Sequence, residues 1–189
     1  LLLGSTKLTM RETLLEAYQR LLGQYGPQHW WPAETPFEVV IGAILTQSTA
    51  WGNVEKAIVN LKAQGALSPQ RLRQMSLEEL ARLIYPSGFY NAKAAKVKSL
   101  VHWLGDRCND DLDRLFALDI SSLRQELLQV HGIGEETADS IILYAARKPI
   151  FVIDAYTRRI LLRLGLRPPG QDYAAFQGLF MQHLPHCER

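Results

Sequence analysis

The chain has 189 residues, 47% of them hydrophobic and 21% charged, which is enough apolar material for one or two soluble domains with a dry core. The formal net charge is only +2, so no global basic signal announces a nucleic acid, and any DNA-binding face must come from uneven charge distribution. No apolar run reaches the length of a membrane span, Leu1-Leu2-Leu3 is too short for a signal peptide, and Cys108 and Cys187 have neither disulfide nor metal spacing. The expectation is an intracellular chain without membrane contact.

Thr9 and Glu12 read as a capping box opening a helix, with Leu14, Leu15, Tyr18, Leu21 and Leu22 on one side and Gly26-Pro27 at its end. The loop 28–36 holds His29, Trp30, Trp31 and Pro32. Two adjacent tryptophans in a proline-bounded loop cannot both pack on one helix face. They either seal two lobes together or offer a stacking wall for a planar base, where their faces also attract a cationic ring. Phe37, Val40, Ile41, Ile44 and Leu45 follow the spacing of a core helix, and Gln47 and Ser48 end it. Trp51 is a pocket floor or a core filler.

Val54, Ala57, Ile58 and Leu61 mark the next helix face, Ser68-Pro69 starts another helix, and Ser76 with Glu79 reads as a second capping box. Pro86-Ser87-Gly88 interrupts the chain before a helix marked by Val97, Leu100, Val101 and Leu104. Lys93, Lys96 and Lys98 sit near its start. They read either as a solvated face or, beside the Gly88 turn, as a phosphate-contacting loop whose side chains also wedge into a duplex; the second reading is preferred.

Ser121-Ser122 can cap a short helix carrying Leu123, Leu127, Leu128 and Val130. Gly132-Ile133-Gly134 then permits a tight reversal, and Ala138, Ile141, Ile142 and Ala145 resume a helix face. Helix, Gly-x-Gly and helix make either a plain turn or an anion site, because the amides opening the second helix lack internal partners. Lys148-Pro149 ends that helix, and the apolar run 150–153 leads to Asp154, placed as N-cap of a helix carrying Thr157, Ile160, Leu161 and Leu164. Capping does not preclude chemistry, since backbone N–H bonds fix and orient a carboxylate. One of Arg158 and Arg159 is expected on a DNA phosphate or a carboxylate. Arg167-Pro168-Pro169-Gly170 is a loop, and 173–184 is the last predicted helix. No strand pattern appears, so the fold class is all-α, and the histidines show no metal-ligand spacing.

A hairpin with Gly-x-Gly, about twenty residues, and an apolar run ending in Asp together resemble the helix-hairpin-helix signature of the endonuclease III superfamily of DNA glycosylases. Phe37-Glu38-Val39-Val40-Ile41 through Leu45-Thr46-Gln47, and Gly88-Phe89-Tyr90-Asn91-Ala92-Lys93-Ala94, match the family in order and spacing. The resemblance covers residues 10–165. It implies two helical lobes with a cleft: 36–148 as a barrel carrying the hairpin, 1–35 plus 149–189 as the second lobe, and Asp154 at their junction. It also implies that a nucleotide is flipped from damaged double-stranded DNA and its glycosidic bond hydrolysed, by a monomeric, nucleoid-associated protein.

Within the superfamily, residues 132–139, Trp30-Trp31-Pro32 and the run 45–51 look most like the 3-methyladenine DNA glycosylase III branch. There the equivalents of Trp30, Trp31, Pro32 and Trp51 line the base pocket. Bifunctional members carry a lysine two residues after the second hairpin glycine. Here that position is Glu136, which cannot form an imine, so a monofunctional enzyme is expected, with Asp154 stabilising positive charge on the sugar. The resemblance places DNA contacts at Lys93, Gly132, Ile133, Gly134 and Thr137, and the filling of the duplex gap at Gln47 or Ser48. The four-cysteine iron–sulfur motif of many relatives is absent, so no cluster is expected, while a monovalent cation at the hairpin is compatible with the motif. The chain opens LLLGS and stops at His186-Cys187-Glu188-Arg189, whereas the family usually continues with another helix, in which further pocket residues or the cluster can lie.

Overall fold

The computed structural model describes residues 8–185, and these residues are helical without a strand. In chain order the helices are α1 (Met10–Tyr25), α2 (Pro36–Leu45), α3 (Trp51–Ala63), α4 (Pro69–Gln74), α5 (Leu77–Leu83), α6 (Tyr90–Cys108), α7 (Leu112–Phe116), α8 (Ile120–Leu128), α9 (Glu135–Ser140), α10 (Ala155–Arg163) and α11 (Tyr173–Met181). A 3₁₀ turn, Tyr85–Ser87, precedes α6, and a π-helical turn, Ile141–Ala145, continues α9. Ala33–Lys148 form one compact unit; the other joins the chain through Pro32 to the chain from Pro149 onward.

The larger unit is built around α2. Phe37 to Leu45 are all buried, as a helix apolar on every side requires. Val54 and Leu61 of α3, Leu72 of α4, Leu80 of α5, Leu100 and Val101 of α6, Leu123 of α8, and Ile141 and Ile142 complete its dry interior. Thr35 caps α2, accepting from the Glu38 amide, and Pro36 takes the tolerated first position. Inside this unit, Lys62 of α3 reaches both Glu34 and the buried Glu38 at 2.9 Å, fixing the strand of chain that leads into α2. Lys98 of α6 donates to the carbonyls of Leu72, Arg73 and Met75, satisfying the end of α4. Lys98 is therefore an internal cap rather than part of a solvated or phosphate-facing run.

The smaller unit has its own core of Leu14, Ile153, Leu161, Tyr173, Phe176, Leu179 and Phe180, with Phe151 stacked on Phe180 at 3.6 Å between ring centres. Thr9 and Glu12 form the expected capping box. The expected apolar side of α1 is only partly used. Leu14 is buried, whereas Tyr18, Leu21, Leu22 and Tyr25 are exposed and line an open cavity of about 900 Å³ with Gly26, Pro27, Gln28 and His29.

One local expectation is corrected. Asp119, not Ser121 or Ser122, caps α8: its carboxylate accepts from the Ser122 amide and hydroxyl at 3.0 and 2.7 Å. Aspartate places two acceptors on the cap, and the helix starts earlier than expected, at Ile120. In the hairpin only Gly132 has a left-handed backbone, with φ 87°; Gly134 is extended.

Candidate functional site

The hairpin is set by α8, the turn 129–134 and α9. A Cβ on Gly132 would lie 2.3 Å from Cγ of Lys96, so both the φ angle and the space call for glycine. The Ile133 amide closes on the Val130 carbonyl at 3.1 Å, and the Ile133 side chain is buried. Arg124 of α8 grips α9 from behind, donating to the fully buried Asp139 at 2.7 Å and to Glu135 at 3.1 Å. This bidentate pairing fixes the angle between the two hairpin helices and turns Glu135 toward α8. Glu136 is exposed on the first turn of α9, and its carbonyl accepts from the Ser140 hydroxyl.

The end of α2 is tied to the hairpin by side chains. Gln47 Nε2 donates to the Gly132 carbonyl and to Thr137 Oγ1, both at 3.0 Å, while Gln47 Oε1 accepts from Lys96 Nζ at 2.5 Å. Thr137 is buried and spent on this contact. Ser48, next in the chain, is exposed in a left-handed conformation with φ 53°. Among the residues expected on DNA, Gly134 and Ser48 are thus exposed, Gly132 is half-buried, and the Gln47, Ile133 and Thr137 side chains serve the turn itself.

Lys93 is corrected outright. Its side chain is 1% exposed, and Nζ donates to the Leu45 and Ser87 carbonyls at 2.8 and 2.6 Å. Burial, with Lys96 nearby, pushes its pKa down to about 8. An ammonium so enclosed cannot meet a phosphate. What the Gly88 turn does present is Phe89, 72% exposed with φ 46°, beside the tilted pair Tyr85 and Tyr90. A left-handed conformation is uncommon for so bulky a residue.

In the smaller unit, Asp154 caps α10: Oδ1 accepts from the Thr157 amide at 2.7 Å. The approach to it is pinned, since the Ile153 amide donates to the Tyr173 hydroxyl at 3.1 Å and Gln177 donates to the Phe151 carbonyl at 2.7 Å. The acid therefore stands half-buried on a rigid support. Arg158 lies over Phe176 and donates to the Gln171 carbonyl, so it braces this unit; Arg159 lies over Tyr156. Trp30 is 55% exposed, Trp31 half-buried and Pro32 exposed, while in the larger unit Trp51 is half-buried at the first turn of α3.

The sequence model for the HhH-GPD superfamily of base excision DNA repair proteins matches residues 41–186, most of the chain. The chain belongs to this superfamily. It is 43% identical over 175 residues to a Methanocaldococcus jannaschii protein that carries the name of a DNA repair glycosylase, spanning 92% of this chain and 80% of that one. Thermotoga maritima endonuclease III is 32% identical over 156 residues, 79% of this chain and 67% of that one. The H. pylori 3-methyladenine DNA glycosylase, solved with 1,N6-ethenoadenine, superposes with a TM-score of 0.80 at 30% identity, covering 93% of this chain and 82% of that one. As an HhH-GPD protein, the chain is a DNA glycosylase of base excision repair that binds DNA, and its all-helical fold is the glycosylase fold. Among the described residues no helix is long and apolar enough to cross a membrane.

Proposed function

We propose that this HhH-GPD protein is a monofunctional glycosylase that hydrolyses the N-glycosidic bond of flipped-out alkylated purines of the 3-methyladenine type. The observation that carries the reading is Glu136, standing where bifunctional relatives have their imine-forming lysine. Without that amine, strand cleavage through a Schiff base has no nucleophile, and water becomes the attacking group. Asp154 is the catalytic residue: fixed by the Thr157 amide, its carboxylate stabilises the oxocarbenium-like sugar and orients the water. Glu136 is the second catalytic carboxylate of this reading.

Trp30, Trp31, Pro32 and Trp51 supply the base pocket. Alkylation at N3 leaves a purine cationic, and electron-rich indole faces favour it over an unmodified base. The likeness to the 3-methyladenine glycosylase of H. pylori supports this choice. On the DNA side, backbone amides at Gly132, Gly134 and the start of α9 take a phosphate. The side-chain amide of Gln47 is engaged with the hairpin, which favours Ser48 for the duplex gap, with Phe89 as the wedge. The partner is double-stranded DNA with a damaged base, engaged by a monomer.

Similarity to a Pyrobaculum aerophilum thymine/uracil-DNA glycosylase, 28% identical over 138 residues, keeps a second reading in view: removal of a deaminated or mismatched base. A panel of duplexes, each with one lesion and assayed with and without borohydride, tests both parts. Expected are an abasic product from the alkylated-purine duplex and no trapped protein–DNA adduct. A borohydride adduct contradicts the monofunctional reading, and release confined to uracil or thymine mismatches selects the second one.

A further inference from the structure

We infer that Lys93 is a positioning residue that holds the two DNA-inserting turns, 46–49 and 87–89, in one fixed register. The inference rests on the glycosylase reading above, and on the following geometry.

The Leu45 carbonyl lies at the open end of α2, and the Ser87 carbonyl at the end of the 3₁₀ turn. Neither has a helical partner there, and both are satisfied by one ammonium, at 2.8 and 2.6 Å. The group is almost wholly enclosed, and Ser87 beside it is fully buried, with its hydroxyl on the Ile84 carbonyl at 2.7 Å. No water competes for these bonds, so their geometry is stiff. Three residues beyond the Leu45 carbonyl and two beyond the Ser87 carbonyl, the chain presents a left-handed non-glycine residue to solvent: Ser48 with φ 53° and Phe89 with φ 46°. Such conformations persist only where the surroundings over-determine them.

Lys96, one turn further along α6, grips the same stretch through Gln47, and Gln47 in turn holds the hairpin carbonyl of Gly132. The start of α6 thus connects all three turns that the proposed function assigns to DNA. Lys93 couples the gap-filling turn to the wedge turn; Lys96 couples the gap-filling turn to the phosphate-binding hairpin. Lys93 touches no substrate. Its effect on base extrusion runs through Ser48 and Phe89, which must enter the duplex together while the nucleotide leaves it.

The test compares wild type with Lys93→Met, which keeps the stem and removes the ammonium. One assay measures base release under single turnover from an alkylated duplex and from the same strand unpaired, where there is no duplex gap to fill. A second measures the fluorescence rise of 2-aminopurine placed opposite an abasic analogue, which reports insertion and needs no catalysis. Expected in Lys93→Met are a rise in half-saturating protein concentration for duplex of about tenfold, a loss of the fluorescence rise, and release from the single strand within about twofold of wild type. Phe89→Ala reproduces the duplex defect and adds little to it in the Lys93→Met background. Equal losses on duplex and single strand, or full additivity with Phe89→Ala, overturn the inference; so does an unchanged fluorescence rise. Lys93→Gln, with a donor on a shorter stem, is read by the same criteria if the methionine variant does not fold. Absence of base release by the wild type, with the fluorescence rise intact and lost in Lys93→Met, counts against the proposed activity and leaves the clamp standing.

Discussion

At the scale of single residues, Asp154 caps α10, and substitution can separate that role from the catalytic one proposed for it. Asparagine caps a helix as well as aspartate does, so Asp154→Asn is expected to keep the thermal midpoint while single-turnover base release falls by roughly 10²–10³-fold. Lys93 offers a second test, in stability against pH. Its folded-state pKa of about 8 lies below the ordinary lysine value of 10.5, so above pH 8 the folded chain gives up a proton that the unfolded chain retains. Stability from this group therefore rises with pH across that window. Relative to Lys93→Met, the wild type is expected to gain up to roughly 3 kcal/mol between pH 8 and 10.5 in urea titrations; a flat difference contradicts the burial assigned to the ammonium. The sequence could not disclose this role, because Lys93 meets its Leu45 acceptor 48 residues away. By contrast, the caps at Thr9, Ser68, Ser76 and Asp154 were readable, because each accepts from an amide three residues on.

At the scale of elements, the hairpin is a clamp with two fastenings. Arg124 joins α8 to α9 through Asp139, and Gln47 joins the turn to α2. Arg124→Ala leaves the fully buried Asp139 carboxylate without its cation, a change expected to cost about 3–5 kcal/mol and read as a lower thermal midpoint. Gly132→Ala forces both a left-handed alanine and a clash with Lys96, and is expected to weaken DNA binding as well as stability. The Gly-x-Gly spacing announced this turn, yet it could not say that only the first glycine needs positive φ. Nor could it show that Gln47, Ile133 and Thr137 face the turn, since that depends on how α2 and α6 pack behind it. The exposed face of α1 has a similar cause: Leu21 and Leu22 have the spacing of a core face, but periodicity reports amphipathicity, not what covers it.

At the scale of the whole molecule, a net charge of +2 means that DNA binding relies on a few local contacts. Each phosphate neutralised by a cationic side chain contributes nearly one unit of salt slope, whereas backbone amides contribute less. With Lys93 and Lys98 directed inward, a shallow dependence of affinity on salt is expected, measurable by titration from low to moderate ionic strength. The all-helical class, the hairpin and Asp154 as a helix cap were legible because each is a local pattern. The choice of lesion was not, because base recognition depends on side chains far apart in sequence, which no local pattern brings together. The spectrum of free bases released from alkylated duplex DNA tests the central claim most directly. Wild-type protein is expected to liberate 3-methyladenine, and Asp154→Asn to liberate almost none; no release by the wild type, or undiminished release by the variant, contradicts the account.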